Sequence, residues 1–187
     1  MRSWLLVVML ALVGLPLLQA RHIIGGVMSY ECLGKDRYEF TLRVYRDCNC
    51  TMCAQLDPVA EIGIYRCSGA GNCEGQSQAQ PFGSVSVPLG SQSYVEEPDY
   101  PCLIPPDVCG QEGIYQFTLD LPVSSSSYFV SYQRCCRNVT IDNIINPDDA
   151  GATFTIELTP AAQLVCNSSP SFDTYPPIII CNSAPLV

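Results

Sequence analysis

Apolar and polar side chains alternate along this chain with a period of two. From Tyr38 to Arg46, Tyr38, Phe40, Leu42 and Val44 fall on one face, and Glu39, Thr41 and Arg43 on the other. Gly113 to Leu121 repeats the pattern, with Tyr115, Phe117, Leu119 and Leu121 opposite Gln116, Thr118 and Asp120. So does Gly151 to Leu158, where Ala152, Phe154, Ile156 and Leu158 oppose Thr153, Thr155 and Glu157. Strands place successive side chains on opposite faces, so each segment predicts a strand with one face turned inward. Weaker patterns over His22–Tyr30, Val59–Arg66, Ser84–Pro88, Tyr128–Cys136 and Ile178–Cys181 predict further strands. Gly25-Gly26 inside the first points to a bulge or a close backbone approach.

Turn chemistry separates these segments: Gly34-Lys35-Asp36, Ser124 to Ser127, and Asn146-Pro147-Asp148-Asp149. The first lies between two strand patterns and predicts a hairpin. Helix is expected only as short pieces, at Ala54–Leu56 and Pro160–Leu164. The expected fold is all-β, an immunoglobulin-like β-sandwich of about seven or eight strands with disulfide-stapled loops. It should occupy residues 21–160, and residues 161–187 should supply a last strand or a linker.

The ends and the cysteines change how the rest reads. Met1-Arg2-Ser3 followed by the uncharged apolar run Trp4–Leu18 and the small Ala20 has the form of a signal peptide over residues 1–20. The run is shorter than the ~20 residues of a membrane span. A secreted or cell-surface chain with no membrane span after cleavage follows. In that compartment the 12 cysteines are staples first and metal ligands second. Cys48, Cys50, Cys53, Cys67 and Cys73 crowd one irregular stretch, and Cys102 and Cys109 close a proline-rich one. Cys32, Cys135, Cys136, Cys166 and Cys181 complete the set. The pairing is open, and Cys102–Cys109 is the best local guess. Adjacent Cys135 and Cys136, placed on a strand, should point to opposite faces and bridge different partners.

Charge and residue types narrow the function. Without Arg2 the basic residues fall from 9 to 8 against 18 acidic ones, a net charge of −10. No basic stripe exists for nucleic acid. His22 is the single histidine, so a Ser–His–Asp or Cys–His mechanism would have to recruit it, and an enzyme is not expected. The cysteine-rich stretch could hold zinc, but export favours a disulfide-pinned loop. Asp148 and Asp149 could offer oxygen ligands to calcium, in a turn that fits no EF-hand spacing; otherwise no cofactor is implied. Among 10 tyrosines, those on strands should pack half-buried with a wet hydroxyl. Tyr94 and Tyr100, in an acidic loop running from Tyr94 to Val108, are the candidates for contacting a partner.

Three stretches together resemble a known group: Arg21–Gly26 leading to Ser29–Gly34; Val44-Tyr45-Arg46-Asp47-Cys48; and Ser131-Tyr132-Gln133-Arg134-Cys135-Cys136-Arg137-Asn138 running to Asn143–Pro147 and Gly151–Thr153. They are similar to the N-terminal region of large secreted surface proteins of Bacteroidota, labelled gliding-motility-associated or PKD-domain proteins. The resemblance implies an adhesin-like protein that is often type IX secretion cargo, with neighbouring repeats in a longer chain. The expected function is a non-catalytic structural or adhesion module, its partner an extracellular protein or glycan surface. Alternatives are a secreted carbohydrate-binding module using Tyr94, Tyr100 and a calcium at Asp148-Asp149, a secreted hydrolase, and a redox protein using Cys135-Cys136.

Overall fold

Eight antiparallel strands form two four-stranded sheets in a computed structural model that describes residues 23–49, 54–67, 73, 75–95, 109–139 and 141–170. The strands are β1 (Ile23–Gly34), β2 (Arg37–Asp47), β3 (Val59–Cys67), β4 (Ala79–Pro88), β5 (Ser91–Tyr94), β6 (Gly110–Asp120), β7 (Tyr128–Arg134) and β8 (Ala152–Leu158). One sheet runs β1-β2-β6-β5 and the other β4-β3-β7-β8. Taken as A, B, C, C′, D, E, F and G, these are the A-B-E-D and C′-C-F-G sheets of an immunoglobulin-like sandwich. The period-two faces meet between the sheets. Phe40, Leu42, Tyr115, Ile62 and Val130 are each wholly buried there.

Local details show why these residues turn and stop where they do. The β1–β2 hairpin passes through Gly34, Lys35 and Asp36 with φ of 89°, 51° and 66°. A glycine enters such a turn without steric cost. The predicted irregularity at Gly25-Gly26 is present, as a register shift between Ile23 and Gly25. A β-carbon on Gly26 would sit 2.8 Å from the Arg43 carbonyl oxygen and 2.9 Å from the Phe154 ring, so close approach of backbone and ring demands glycine. The Tyr128 hydroxyl donates to the Pro122 carbonyl at 3.0 Å, closing the E–F corner in the manner of a tyrosine corner. Helix α1 (Pro160–Val165) follows β8; Thr159 caps it by accepting from the Ala162 amide, and Pro160 opens its first turn.

Several expectations are corrected. Ala54–Leu56 is irregular rather than helical, and β5 occupies Ser91–Tyr94, where no strand was expected. Five strand tyrosines (Tyr30, Tyr38, Tyr115, Tyr128 and Tyr132) are buried rather than half-wet. Three of their hydroxyls donate to protein acceptors. The guess Cys102–Cys109 is wrong: Cys109 bridges to Cys48, because β2 and β6 are neighbours and their ends lie side by side. Cys135 and Cys136 bridge each other, since β7 ends at Arg134 and strand alternation does not reach them. The peptide bond between them is cis.

The other described bridges are Cys32–Cys166 and Cys67–Cys73. On a chain-entropy account the separations of 134, 61, 6 and 1 residues correspond to about 5, 4, 2 and 1 kcal/mol. Long-range staples therefore dominate. Ile178–Cys181, His22, residues 1–20 and Cys50, Cys53, Cys102 and Cys181 lie outside the described residues.

Candidate functional site

The B–C, D–E and F–G connections leave the sandwich at the same end, because β2, β5 and β7 all run toward it. In antibody variable domains the B–C and F–G connections of one end are recognition loops. Here the roots are fixed by a layer of polar side chains that replaces the apolar core at this end. Arg46 continues the inward face of β2 and is only 6% exposed. Its guanidinium donates to Gln111 Oε1 at 2.5 Å from β6 and to the Ala54 carbonyl at 2.9 Å from the B–C connection. The amide of Cys48 donates to the Cys109 carbonyl at 2.9 Å, so the bridge between them extends the β2–β6 ladder by one rung.

Asp57, in the B–C connection, is the centre of this layer. Tyr132 of β7 donates its hydroxyl to Asp57 Oδ2 at 2.6 Å, and Arg134 pairs with Oδ1 at 2.9 Å. Tyr115, from the opposite sheet, donates to the Asp57 backbone carbonyl at 2.7 Å. One loop residue thus receives a buried tyrosine from each sheet. Burial pushes the Tyr115 phenol up to about 12, with the Asp57 charge adding to it and Arg134 opposing. Burial, then the hydrogen bond and charge of Asp57, raise Tyr132 further. Both hydroxyls are held as donors.

The F–G connection is anchored in the same way. Asn138 is buried, its amide donates to the Ile23 carbonyl at 3.0 Å, and its side chain donates to Asp47 Oδ2 at 2.9 Å. The Arg137 amide is shared between the Pro147 and Ala150 carbonyls, both at 3.1 Å. On the outer face of the β1-β2 sheet, Glu112 accepts from Arg43 at 3.0 Å and from Tyr45 at 2.9 Å. At the other end, the helix side chain Gln163 joins α1 to the E–F connection: it accepts from the Ser124 amide at 2.7 Å and donates to the Ser126 and Leu158 carbonyls.

The residues singled out in the sequence are placed unevenly. Tyr94 ends β5 rather than lying inside a loop, and is 71% exposed beside the D–E connection. Tyr100 lies outside the described residues. Asp148 and Asp149 sit in the F–G turn, where the Asp149 amide donates to the Asn146 carbonyl at 3.0 Å. Among the described residues no group of three histidine, cysteine or acidic side chains is placed to hold a metal. Cys48, Cys67 and Cys73 of the cysteine-rich stretch are in disulfides.

Two features had no sequence signal. Asp57 precedes Pro58 and reads only as a turn residue. An open groove of about 460 Å³ is lined by Gly63, Tyr65, Pro81, Phe82, Gly83 and Ser84, on the outer face of β3 and β4. It forms where Phe82 is the extra residue of a bulge, Ile64 pairing with Gly83 and Tyr65 with Pro81. The Tyr65 ring lies across Gly63, and Arg66 sits 5.0 Å from the Phe82 ring centroid.

No family model matches the chain, and neither curated proteins nor solved structures give a significant match. Among the described residues no helix is long and apolar enough to cross a membrane. The bridges themselves indicate a chain that matures in an oxidising environment.

Proposed function

We propose that this chain is a non-catalytic adhesion or structural module of a secreted or cell-surface protein. The observation that carries the reading is the loop end: three connections emerge together from an immunoglobulin-ordered sandwich, stapled or hydrogen-bonded at their roots. Fixed roots lower the ordering cost of binding, which is what a recognition surface needs. Tyr94 stands beside those roots, a rigid amphipathic ring open to solvent. The resemblance to Bacteroidota surface proteins supports the same reading, with further repeats in a gliding- or adhesion-related chain as what it implies. The test is retention under flow of beads coated with the oxidised protein, on surfaces bearing extracellular proteins or glycans. Retention should fall about tenfold for Tyr94→Ala, the loss that follows removal of an anchoring aromatic worth about 1.4 kcal/mol. Retention equal to that of uncoated beads on every surface overturns the reading.

A second reading, a carbohydrate-binding module, is favoured by the Tyr65–Phe82 groove. Aromatic walls with a glycine floor suit the apolar face of a sugar ring. Glycan-array binding lost in Phe82→Ala and kept in Tyr94→Ala would select it over loop-end recognition. Loss on adding chelator would bring in a calcium ion at Asp148-Asp149.

A further inference from the structure

Cys135–Cys136 is unlike the other described bridges. Cys32–Cys166, Cys48–Cys109 and Cys67–Cys73 tie together segments that the chain alone would leave free. A bridge between neighbours closes the shortest loop and constrains the unfolded chain least, so it contributes least to the fold. It is also open to solvent, with Cys135 exposed and Cys136 half-buried, as are Cys166 and Cys32, whereas Cys67 is 5% exposed. The sequence around it is Arg134-Cys135-Cys136-Arg137, a cationic frame in a chain of net charge −9. The Arg137 guanidinium, adjacent in sequence to Cys136, is held by the Gly151 carbonyl at 3.0 Å, whereas that of Arg134 is paired with Asp57 at 2.9 Å. Neighbouring cations favour thiolates, and a stabilised thiolate is a better leaving group.

The surroundings are tied independently of the bridge. The β7–β8 ladder ends at Arg134 paired with Ala152, and Asn138 is tied independently to Ile23 and Asp47. The two cysteines form a short link between fixed points.

We propose that Cys135–Cys136 is a thiol–disulfide exchange site for an accessible dithiol. A thiolate of the dithiol attacks Sγ of the exposed Cys135. The Cys135–Cys136 bond breaks, its electron pair leaves on Cys136 Sγ, and a mixed disulfide forms at Cys135. The second thiol of the dithiol, once deprotonated, attacks its partner sulfur and releases Cys135 as a thiolate. Two electrons and two protons pass to this protein, and the dithiol becomes a disulfide.

The experiment titrates the intact, oxidised protein with dithiothreitol under native conditions, alkylates at each point and maps modified cysteines by mass spectrometry. Cys135 and Cys136 should be alkylated together at about tenfold lower reductant than any cysteine of the other three described bridges. Near-ultraviolet dichroism should be retained at that point. Arg137→Gln should slow the exchange about threefold or more near neutral pH with the thermal midpoint unchanged, a readout that a purely structural bridge would not move. Alkylation of Cys135 and Cys136 only together with the other pairs, or only on unfolding, overturns the proposal. So does an exchange rate indifferent to Arg137→Gln.

Discussion

Replacing Asp57 by alanine tests how firmly its carboxylate ties the B–C connection to β7. The side chain is 19% exposed and its two partners differ in what they lose. The Tyr132 hydroxyl, in a residue 4% exposed, is left buried without an acceptor, a cost of about 1–3 kcal/mol. Arg134, a third exposed, regains water, so its loss is about 0–1 kcal/mol. The sum is about 1–4 kcal/mol, which at a urea slope of about 2 kcal/mol/M moves the midpoint by about 0.5–2 M. Tyr132→Phe alone removes a hydrogen bond to a charged acceptor and should cost about 1.5 kcal/mol. The double variant removes donor and acceptor together, so it should be no less stable than Asp57→Ala alone. The cycle therefore carries a coupling of at least about 1 kcal/mol. Urea unfolding with disulfides intact, followed by far-ultraviolet dichroism, supplies all four stabilities. Additivity within about 0.5 kcal/mol would refute the reasoning, because it would mean that Tyr132 reaches water once Asp57 is gone.

Alkaline pH offers a second test. Tyr115 and Tyr132 hold their protons more tightly folded than unfolded, so their contribution is complete below about pH 10 and is lost as pH rises. Each should give a stability slope of about −1.4 kcal/mol per pH unit between about 10 and 12, and Tyr115→Phe should remove its share in urea titrations across that range. Gln163→Ala strips three hydrogen bonds from a buried side chain and should cost about 2–4 kcal/mol by thermal unfolding; a loss under 1 kcal/mol would show that water fills its place. Cys32→Ser with Cys166→Ser should lower stability by about 2–5 kcal/mol, against about 1 kcal/mol for the Cys135→Ser, Cys136→Ser pair. Equal losses in calorimetry would reject the loop-length account. Gly26→Ala forces a β-carbon against the Arg43 carbonyl and Phe154 and should cost about 1–3 kcal/mol.

The strands with clean alternation were legible in the sequence because burial on one face imposes the period. Arg37–Asp47 and Ala152–Leu158 lie almost where Tyr38–Arg46 and Gly151–Leu158 place them. The hairpin at Gly34-Lys35-Asp36 and the bulge at Gly25-Gly26 were legible because special backbone geometry selects glycine there. β5 was not, since all four of its residues are exposed and no apolar face marks it. Tyr128 to Tyr132 are buried on both faces and show no alternation. Sulfur pairing was illegible for another reason: Cys48 meets Cys109 through sheet order, which local sequence does not carry. The site suffers most from this. Asp57 matters through Tyr115 and Tyr132, residues 58 and 75 positions away. Their convergence exists only once the sandwich has closed.

The two ends of the sandwich are held by different physics. Immunoglobulin domains of antibodies join their sheets by a disulfide between the B and F strands. Here β2 and β7 contain no cysteine and contribute Phe40, Leu42 and Val130 to the shared core. Among the described bridges, the covalent tie between sheets lies at the hairpin end, where α1, following β8, is bridged to β1 by Cys32–Cys166. Ser169 continues it: its amide and hydroxyl donate to the Tyr30 carbonyl, and its hydroxyl accepts from the Tyr30 amide. At the loop end, among the described residues, the sheets converge on Asp57 through hydrogen bonds from Tyr115 and Tyr132. Hydrogen bonds yield to alkali and to reorganisation at far lower cost than a sulfur bridge does. Between the two described ties across the sheets, the Tyr115–Asp57–Tyr132 link is therefore the one that alkali should loosen first, while Cys32–Cys166 keeps the sheets together at the opposite end.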